Sequence, residues 1–334
     1  MEQDFSARPG VAVVTGATGG IGSAVARMLV ARGCAVVLAY RSDADAAAAL
    51  AAELNATDPA ATGTTRTDTT RTGAVQPGTT RTDAGQPGGV QPGTTRTDAG
   101  QPGTTRTDAA QPGAVQPGAT RTDANTADER VHETGATRKR RATAVRADLT
   151  DPAACAALIG AAGEVHTLVH AAGPHVPMMH LSTIAPERFA EQVAQDVLAT
   201  FNIVRAALPA LRASRGSIVA VTTAATRRFP VRDGLSAVPK GAVESLMRGI
   251  AAEEGRFGVR ANCVGPGMLT DGMAARLIAD GDLHEHALAV TRSNIPLRTF
   301  GTAADIAEAV CFLASDRARF ISGQKLDVDG GYAA

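Results

Sequence analysis

The apolar run Val11–Thr15 leads directly into Gly16-Ala17-Thr18-Gly19-Gly20-Ile21-Gly22, after which Ile21, Val25, Met28 and Leu29 recur at helical spacing until Gly33. No other stretch constrains the chain as strongly as this passage from strand through glycines to helix. Glycines permit a tight turn and let backbone come close to a pyrophosphate, and the helix start offers free N–H groups and a positive dipole end. The pattern points to a dinucleotide site on Gly16, Thr18, Gly20, Ile21 and Gly22. A purely structural turn would use the same glycines, so the rest of the chain must decide.

Beyond the turn, strands and helices alternate. Ala35–Tyr40 reads as a second buried strand, and Ser42 as the cap of an Ala-rich helix from Asp43 to Leu54. Further strands are expected at Ala142–Ala147, Val165–His170, Ser217–Val221, Val259–Val264 and Lys325–Val328. Long helices are expected over Pro186–Leu211 and from about Leu235 to Glu254. This order predicts an α/β fold, a doubly wound seven-stranded parallel sheet with helices on both faces. Ligands of such sheets bind at the carboxyl ends of the strands.

Residues 64–123 break the pattern with twelve consecutive pentads, six like Thr64–Asp68 and six like Ala74–Gly78. Their only large apolar side chains are Val75, Val90 and Val115. So little apolar surface cannot offset a backbone entropy of about 1–2 kcal/mol per residue. Residues 57–141 are therefore expected to be a disordered low-complexity insertion. A stacked β-solenoid is the competing reading, but it would need an inward apolar residue in every turn. The basic run Arg138–Arg141 reads as a solvated charge cluster, with a nucleic-acid contact as the alternative. Removing the insertion leaves 249 residues of the whole chain, a usual size for one doubly wound domain, which is expected to span residues 8–333. By the logarithmic closure law, lengthening a loop from ~5 to ~90 residues costs only about 2–3 kcal/mol. The insertion joins a helix end to a strand start. It is therefore expected to emerge opposite the active site and not to reach it.

Charge and cysteine usage exclude several classes. Lys+Arg and Asp+Glu number 33 each, which argues against a nucleic-acid or membrane-surface partner held by bulk charge. Cys34, Cys155, Cys263 and Cys311 lie far apart, without a C-x-x-C pair. They suit neither a disulfide scaffold nor a cysteine-based metal site, and fit a reducing cytoplasm. No apolar run reaches the length of a membrane span, and Met1–Gly10 lacks the apolar stretch of a secretory signal.

At the end of the second strand, where an acid would bind the 2′-hydroxyl of NAD, the chain has Arg41-Ser42. Arg41 can pair with a 2′-phosphate and Ser42 can donate to it, which favours NADP(H) over NAD(H). Asp148 and Leu149, after the third strand, are expected against the adenine.

Several segments together now suggest a family. Thr15–Gly22, Asp148, His170-Ala171-Ala172-Gly173, Val259–Gly267 and the tail Ile321–Gln324 with Asp327–Gly331 resemble the short-chain dehydrogenase/reductase family over about residues 8–56 and 142–333. The resemblance implies a Rossmann-type fold, NAD(P)-linked carbonyl/alcohol chemistry and a homotetramer or homodimer. It also implies that Ala172, Gly173, Pro266 and Gly267 flank the nicotinamide. In the family pattern a Tyr transfers the proton, a Lys four residues later holds the nicotinamide ribose, a Ser orients the carbonyl and an Asn supports a water relay.

Here the Lys position is Lys240, but Ser236 stands at the Tyr position, Thr223 at the Ser position and Asp196 at the Asn position. Thr keeps the hydroxyl. Ser for Tyr removes a positioned proton donor, a change worth ~10²–10⁴-fold in rate. His175 or His180 could replace it, since imidazole titrates near neutrality. Asp196 beside Lys240 could relay protons. Of the only two tyrosines, Tyr40 belongs at the adenosine end, and Tyr332 is expected to reach a site only across a subunit contact. No metal site is expected. Three readings follow. The first is an NADP(H)-dependent oxidoreductase for a carbonyl or secondary alcohol on an apolar body, ketoacyl- or polycyclic-ketone-like. The second is a coenzyme-binding homologue with little or no turnover, acting as a partner subunit. The third is a non-redox lyase or isomerase on the same scaffold.

Overall fold

The computed structural model describes residues 4–56, 141–174, 176–271 and 285–334. Seven parallel strands form one sheet in the order β3-β2-β1-β4-β5-β6-β7. They are β1 (Val11–Thr15), β2 (Ala35–Tyr40), β3 (Ala142–Arg146), β4 (Val165–His170), β5 (Ser217–Val221), β6 (Arg260–Pro266) and β7 (Lys325–Val328). The helices are α1 (Gly20–Ala31), α2 (Ala44–Ala56), α3 (Pro152–Ala162), α4 (Pro186–Val193), α5 (Ala199–Ser214), α6 (Gly234–Glu254), α7 (Glu285–Ser293) and α8 (Ala303–Ala314). The order reverses at β1, with β2 on one side and β4 on the other, so a crevice opens above the carboxyl ends of β1 and β4.

Successive strand residues point to opposite faces, and each face has its own core. Val14, Leu38 and Val219 pack with Leu29 of α1 and Ile306 and Val310 of α8. Val13, Leu168 and Ile218 pack with Leu158 of α3, Ile203 and Leu211 of α5, and Met247 of α6. Each such side chain contributes about 1.5–3 kcal/mol by leaving water. The four thiols are free and buried. Burial pushes Cys34, Cys263 and Cys311 up to about 12 and Cys155 up to about 11, so they pack as small apolar groups.

Element bounds shift by a residue or two from the sequence expectation, and three differences matter locally. The cap of α2 is Asp43, which accepts from Ala46 N at 2.9 Å; Ser42 stands one residue too early. The helix expected over Pro186–Leu211 carries a π turn at Ala194–Leu198 between α4 and α5. The sixth strand runs on to Pro266, two residues beyond the expected end.

Nearly all of the expected insertion, residues 57–140, lies outside the described residues. Its two described flanks meet at the amino-terminal edge of the sheet. Asn55 Oδ1 accepts from Arg141 N at 2.8 Å and Ala142 N at 3.1 Å, while Nδ2 donates to Ala142 O at 2.8 Å. This clamp starts β3 in register, with Val36 N donating to Arg141 O at 2.7 Å. Asn55→Ala strips three hydrogen bonds from partly buried groups and is expected to cost about 1–3 kcal/mol, read as a lowered urea midpoint at unchanged m. Among the described residues, no helix is long and apolar enough to cross a membrane.

Candidate active site

β1 ends at Thr15, and the chain turns on Gly16 with φ +66. A Cβ at Gly16 would lie 2.7 Å from Ala171 O and from Ala172 N. At Gly22 it would lie 2.1 Å from Gly16 O. Both glycines are therefore needed for the turn to pass this close to β4 and to fold back on itself. Gly19 N closes the turn on Gly16 O at 3.0 Å. Helix α1 then starts without a side-chain cap and without an acid in its first turn, so its N–H groups and positive dipole end remain open.

A cleft of about 620 Å³ opens there. Gly19–Gly22, Ala171–Gly173, Thr222–Ala225 and Pro266–Leu269 line it from the ends of β1, β4, β5 and β6. Ser236 and Lys240 line it from α6, and Asp196 from the π turn. Gly20, Ile21, Gly22, Ala172, Gly173, Thr223, Pro266 and Gly267, all expected from sequence, thus share one cavity. Gly16 and Thr18 support the turn outside its lining. A glycine cradle and an uncapped helix end opening into a cavity of this size fit a dinucleotide.

Arg41, Ser42, Asp148 and Leu149 lie beyond this cleft, after β2 and β3. Arg146, paired in register with Tyr40, donates from Nε to Arg41 O at 3.0 Å. Two guanidinium groups therefore gather at this edge; the sequence reading had only Arg41. Asp148 Oδ1 accepts from Thr150 Oγ1 at 2.7 Å and Thr150 N at 3.0 Å. These bonds hold its carboxyl below the usual range, helped by the charges of Arg41 and Arg146. Leu149 is buried in the core.

At the other end, Lys240 Nζ stands 2.7 Å from Asp196 Oδ1, and Gln192 Nε2 donates to Asp196 Oδ2 at 2.8 Å. Asp196 is only 1% exposed. The π turn aims it inward. A Cβ at Gly173 would meet Lys240 Nζ at 3.4 Å and Asp196 Oδ1 at 3.7 Å, so the β4 signature packs directly on the ion pair.

Behind the pair runs one directed hydrogen-bond chain. Thr200 Oγ1 donates to Asp196 O at 2.5 Å and so accepts from His170 Nε2 at 3.0 Å. His170 Nδ1 then accepts from Thr15 Oγ1 at 2.9 Å, which in turn accepts from Ala172 N at 3.4 Å. The network fixes the Nε2–H tautomer. Burial first, and the Lys240 charge second, push His170 down to about 3, so it is a neutral connector between the glycine turn and the π turn. His180 is exposed and absent from the cleft lining. His175 lies outside the described residues.

Two side chains in the cleft depart from expectation. Tyr332 lines the cleft of its own chain, contrary to the expectation that it needs a subunit contact. The tail turns back through Gly330 and Gly331, at φ +65 and +85. Arg228 Nη1 donates to Tyr332 O at 2.8 Å and stacks on its ring, Cζ lying 4.6 Å from the centroid. The second group, Asp233, was missed from sequence. It stands three residues before Ser236 and seven before Lys240, a spacing that puts all three on one helix face. That spacing was the available signal.

Comparison with known proteins agrees with this architecture. The family profile described as enoyl-(acyl carrier protein) reductase matches residues 109–333, and that described as short chain dehydrogenase matches residues 10–79. An L-fucose dehydrogenase of Oryctolagus cuniculus is 31% identical over 61% of this chain and 73% of its own length. An inactive 2-(S)-hydroxypropyl-CoM dehydrogenase of Xanthobacter autotrophicus is 35% identical over 62% of this chain and 90% of its own. A metagenomic blue fluorescent protein in complex with NADPH superposes with a TM-score of 0.66 at 25% identity, covering 98% of this chain and all of that one. The matched profiles, the sheet order and the glycine crossover at its switch point make this chain a member of the short-chain dehydrogenase/reductase family.

Proposed function

We propose that the chain is an NADP(H)-dependent oxidoreductase acting on a carbonyl or secondary alcohol of an apolar, ketoacyl- or polycyclic-ketone-like substrate. The Lys240–Asp196 pair, set against Gly173 in the cleft that begins at the uncapped start of α1, carries this reading. When bound, the coenzyme supplies or accepts the hydride. Gly16, Thr18, Gly20, Ile21 and Gly22 cradle its pyrophosphate, and Asp148 and Leu149 flank its adenine. Ala172, Gly173, Pro266 and Gly267 wall the nicotinamide side. Lys240, kept in place by Asp196, holds the ribose. The Thr223 hydroxyl orients the substrate oxygen, and Ser236 keeps the floor beside it polar. Val176, Met178, Val231, Met268 and Ile295 supply the apolar walls that favour an apolar substrate.

Preference for the phosphorylated coenzyme is supported by Arg41 and Ser42, joined by Arg146. A charged hydrogen bond to phosphate contributes about 1.5–3 kcal/mol. Arg41→Ala is accordingly expected to weaken NADPH binding about 10–100-fold while leaving NADH nearly unchanged, measured by fluorescence titration. Equal losses for both coenzymes would contradict the assignment. The exposed Leu198 and Phe201 beside and on α5, and Val238 on α6, support assembly as a homodimer or homotetramer. The four free thiols suit a reducing, cytoplasmic setting. We also read residues 8–333 as one domain with 57–141 inserted.

NADPH oxidation that depends on an added ketone tests the function. Tight NADPH binding without turnover across a broad ketone panel would instead select a coenzyme-binding homologue with little or no turnover. Ser236 at the Tyr position favours that second reading.

A further inference from the structure

We infer that the Asp233 carboxyl is the proton-transfer group of this active site, the acid for ketone reduction and the base for alcohol oxidation. The inference rests on the oxidoreductase reading above and adds the group that the missing phenol leaves unassigned.

The geometry carries it. Asp233 lines the same cleft as Ser236 and Lys240. It occupies the N-cap position of α6, where a carboxylate would normally accept from the first free N–H groups. It makes no such bond. Only its backbone carbonyl serves the helix, accepting from Ser236 N at 3.1 Å and Ala237 N at 2.9 Å. Among the described residues the carboxyl has no hydrogen bond or ion pair, so its proton is free to move. The backbone that presents it is fixed. Arg232 sits at φ +73, its Nη2 donates to Met178 O at 2.8 Å, and Met179 N donates to Arg232 O at 2.8 Å. A positive φ at a bulky residue beside a cleft is strain of the kind found where position matters. Gly234, which follows Asp233, packs on the exposed Leu181 side chain, whose Cδ2 lies 2.2 Å from where a Cβ would stand.

Burial raises the Asp233 carboxyl to about 6. Around the cleft stand Lys240 and Asp196, paired with each other, Asp271, whose carboxylate accepts from Ala303 N at 3.0 Å, and Tyr332 under Arg228. None of these enters as a cause of the shift; desolvation alone does. A carboxyl titrating near neutrality can both give and take a proton.

In reduction the carbonyl carbon accepts a hydride from the reduced coenzyme and a C–H bond forms. The C=O π pair moves to oxygen, which takes the Asp233 proton, and the carboxylate regains a proton from water. Oxidation runs the same steps backwards.

Asp233→Asn and Asp233→Glu test this with three readouts. In coenzyme-free protein the folded state holds the proton more tightly than the unfolded chain. The stability from protonation is therefore full below about pH 4 and lost as pH rises through about 6. The wild type is expected to lose Tm relative to D233N across that window. D233N is expected to keep NADPH affinity within about twofold and to lose about 10²–10⁴-fold in kcat for ketone reduction. The wild-type fall in reduction rate above about pH 6 should vanish in D233N and persist, shifted, in D233E. A D233N kcat within threefold of wild type, or no wild-type Tm loss relative to D233N, overturns the inference while leaving the oxidoreductase reading standing. A wild type that binds NADPH but reduces no ketone overturns the proton-transfer role and the turnover reading together, though not the coenzyme site. A wild type that fails to bind NADPH overturns everything, beginning with the coenzyme site.

Discussion

Lys240→Met is expected to cost about 3–5 kcal/mol of stability and to weaken NADPH binding about 10–100-fold. The two losses have different origins. Asp196 is 1% exposed, and its Oδ1 has Lys240 Nζ at 2.7 Å with no directed hydrogen bond of its own. Removing the ammonium leaves a carboxylate stranded in low dielectric, which is far worse than removing both charges. The double variant K240M/D196N should therefore recover most of the stability, read from urea midpoints. It should not recover coenzyme affinity, because the group proposed to hold the ribose is still missing. Recovery of both would mean that Lys240 serves only to neutralise Asp196.

Gly22→Ala is expected to lower NADPH affinity at least about 100-fold and stability by about 1–3 kcal/mol. The added methyl carbon would stand 2.1 Å from the Gly16 carbonyl oxygen, an overlap that only a shift of the turn can relieve. That shift moves the backbone proposed to cradle the pyrophosphate. Gly160→Ala is the internal control. Gly160 lies within α3, where a Cβ meets nothing within 4 Å, and the change is expected to be neutral or to stabilise by up to about 1 kcal/mol. If G22A bound NADPH like the wild type, the glycine turn would be a structural feature only.

The parts of the fold that follow from local rules were legible in the sequence. Val11–Thr15, the glycines and Ile21–Leu29 state strand, turn and helix in order, and the later apolar runs fall on the observed strands within about two residues. The site was legible where backbone geometry dictates the residue, as at Gly22 and Gly173, or where spacing does, as at Ser236 and Lys240. What stayed hidden depends on tertiary surroundings. Apolar periodicity does not register the one-residue widening of a π turn, so the place of Asp196 beside Lys240 was readable only through the family resemblance, and the turn that aims it inward was not. Asp233 carries the sequence signature of a cap, and only its burial and the absence of a cap bond separate it from one. Tyr332 was misassigned because two consecutive left-handed glycines reverse the tail onto its own cleft. Ser42 and Asp43 are both good caps, and the choice between them rests on where β2 releases the chain.

Isothermal titration of the folded wild type with NADPH, and separately with NADH, reaches the centre of the account. The prediction is saturable one-site binding of NADPH, tighter than NADH by about the 10–100-fold attributed to the phosphate contact. No heat of association with either coenzyme, in protein shown to be folded by circular dichroism, would contradict it.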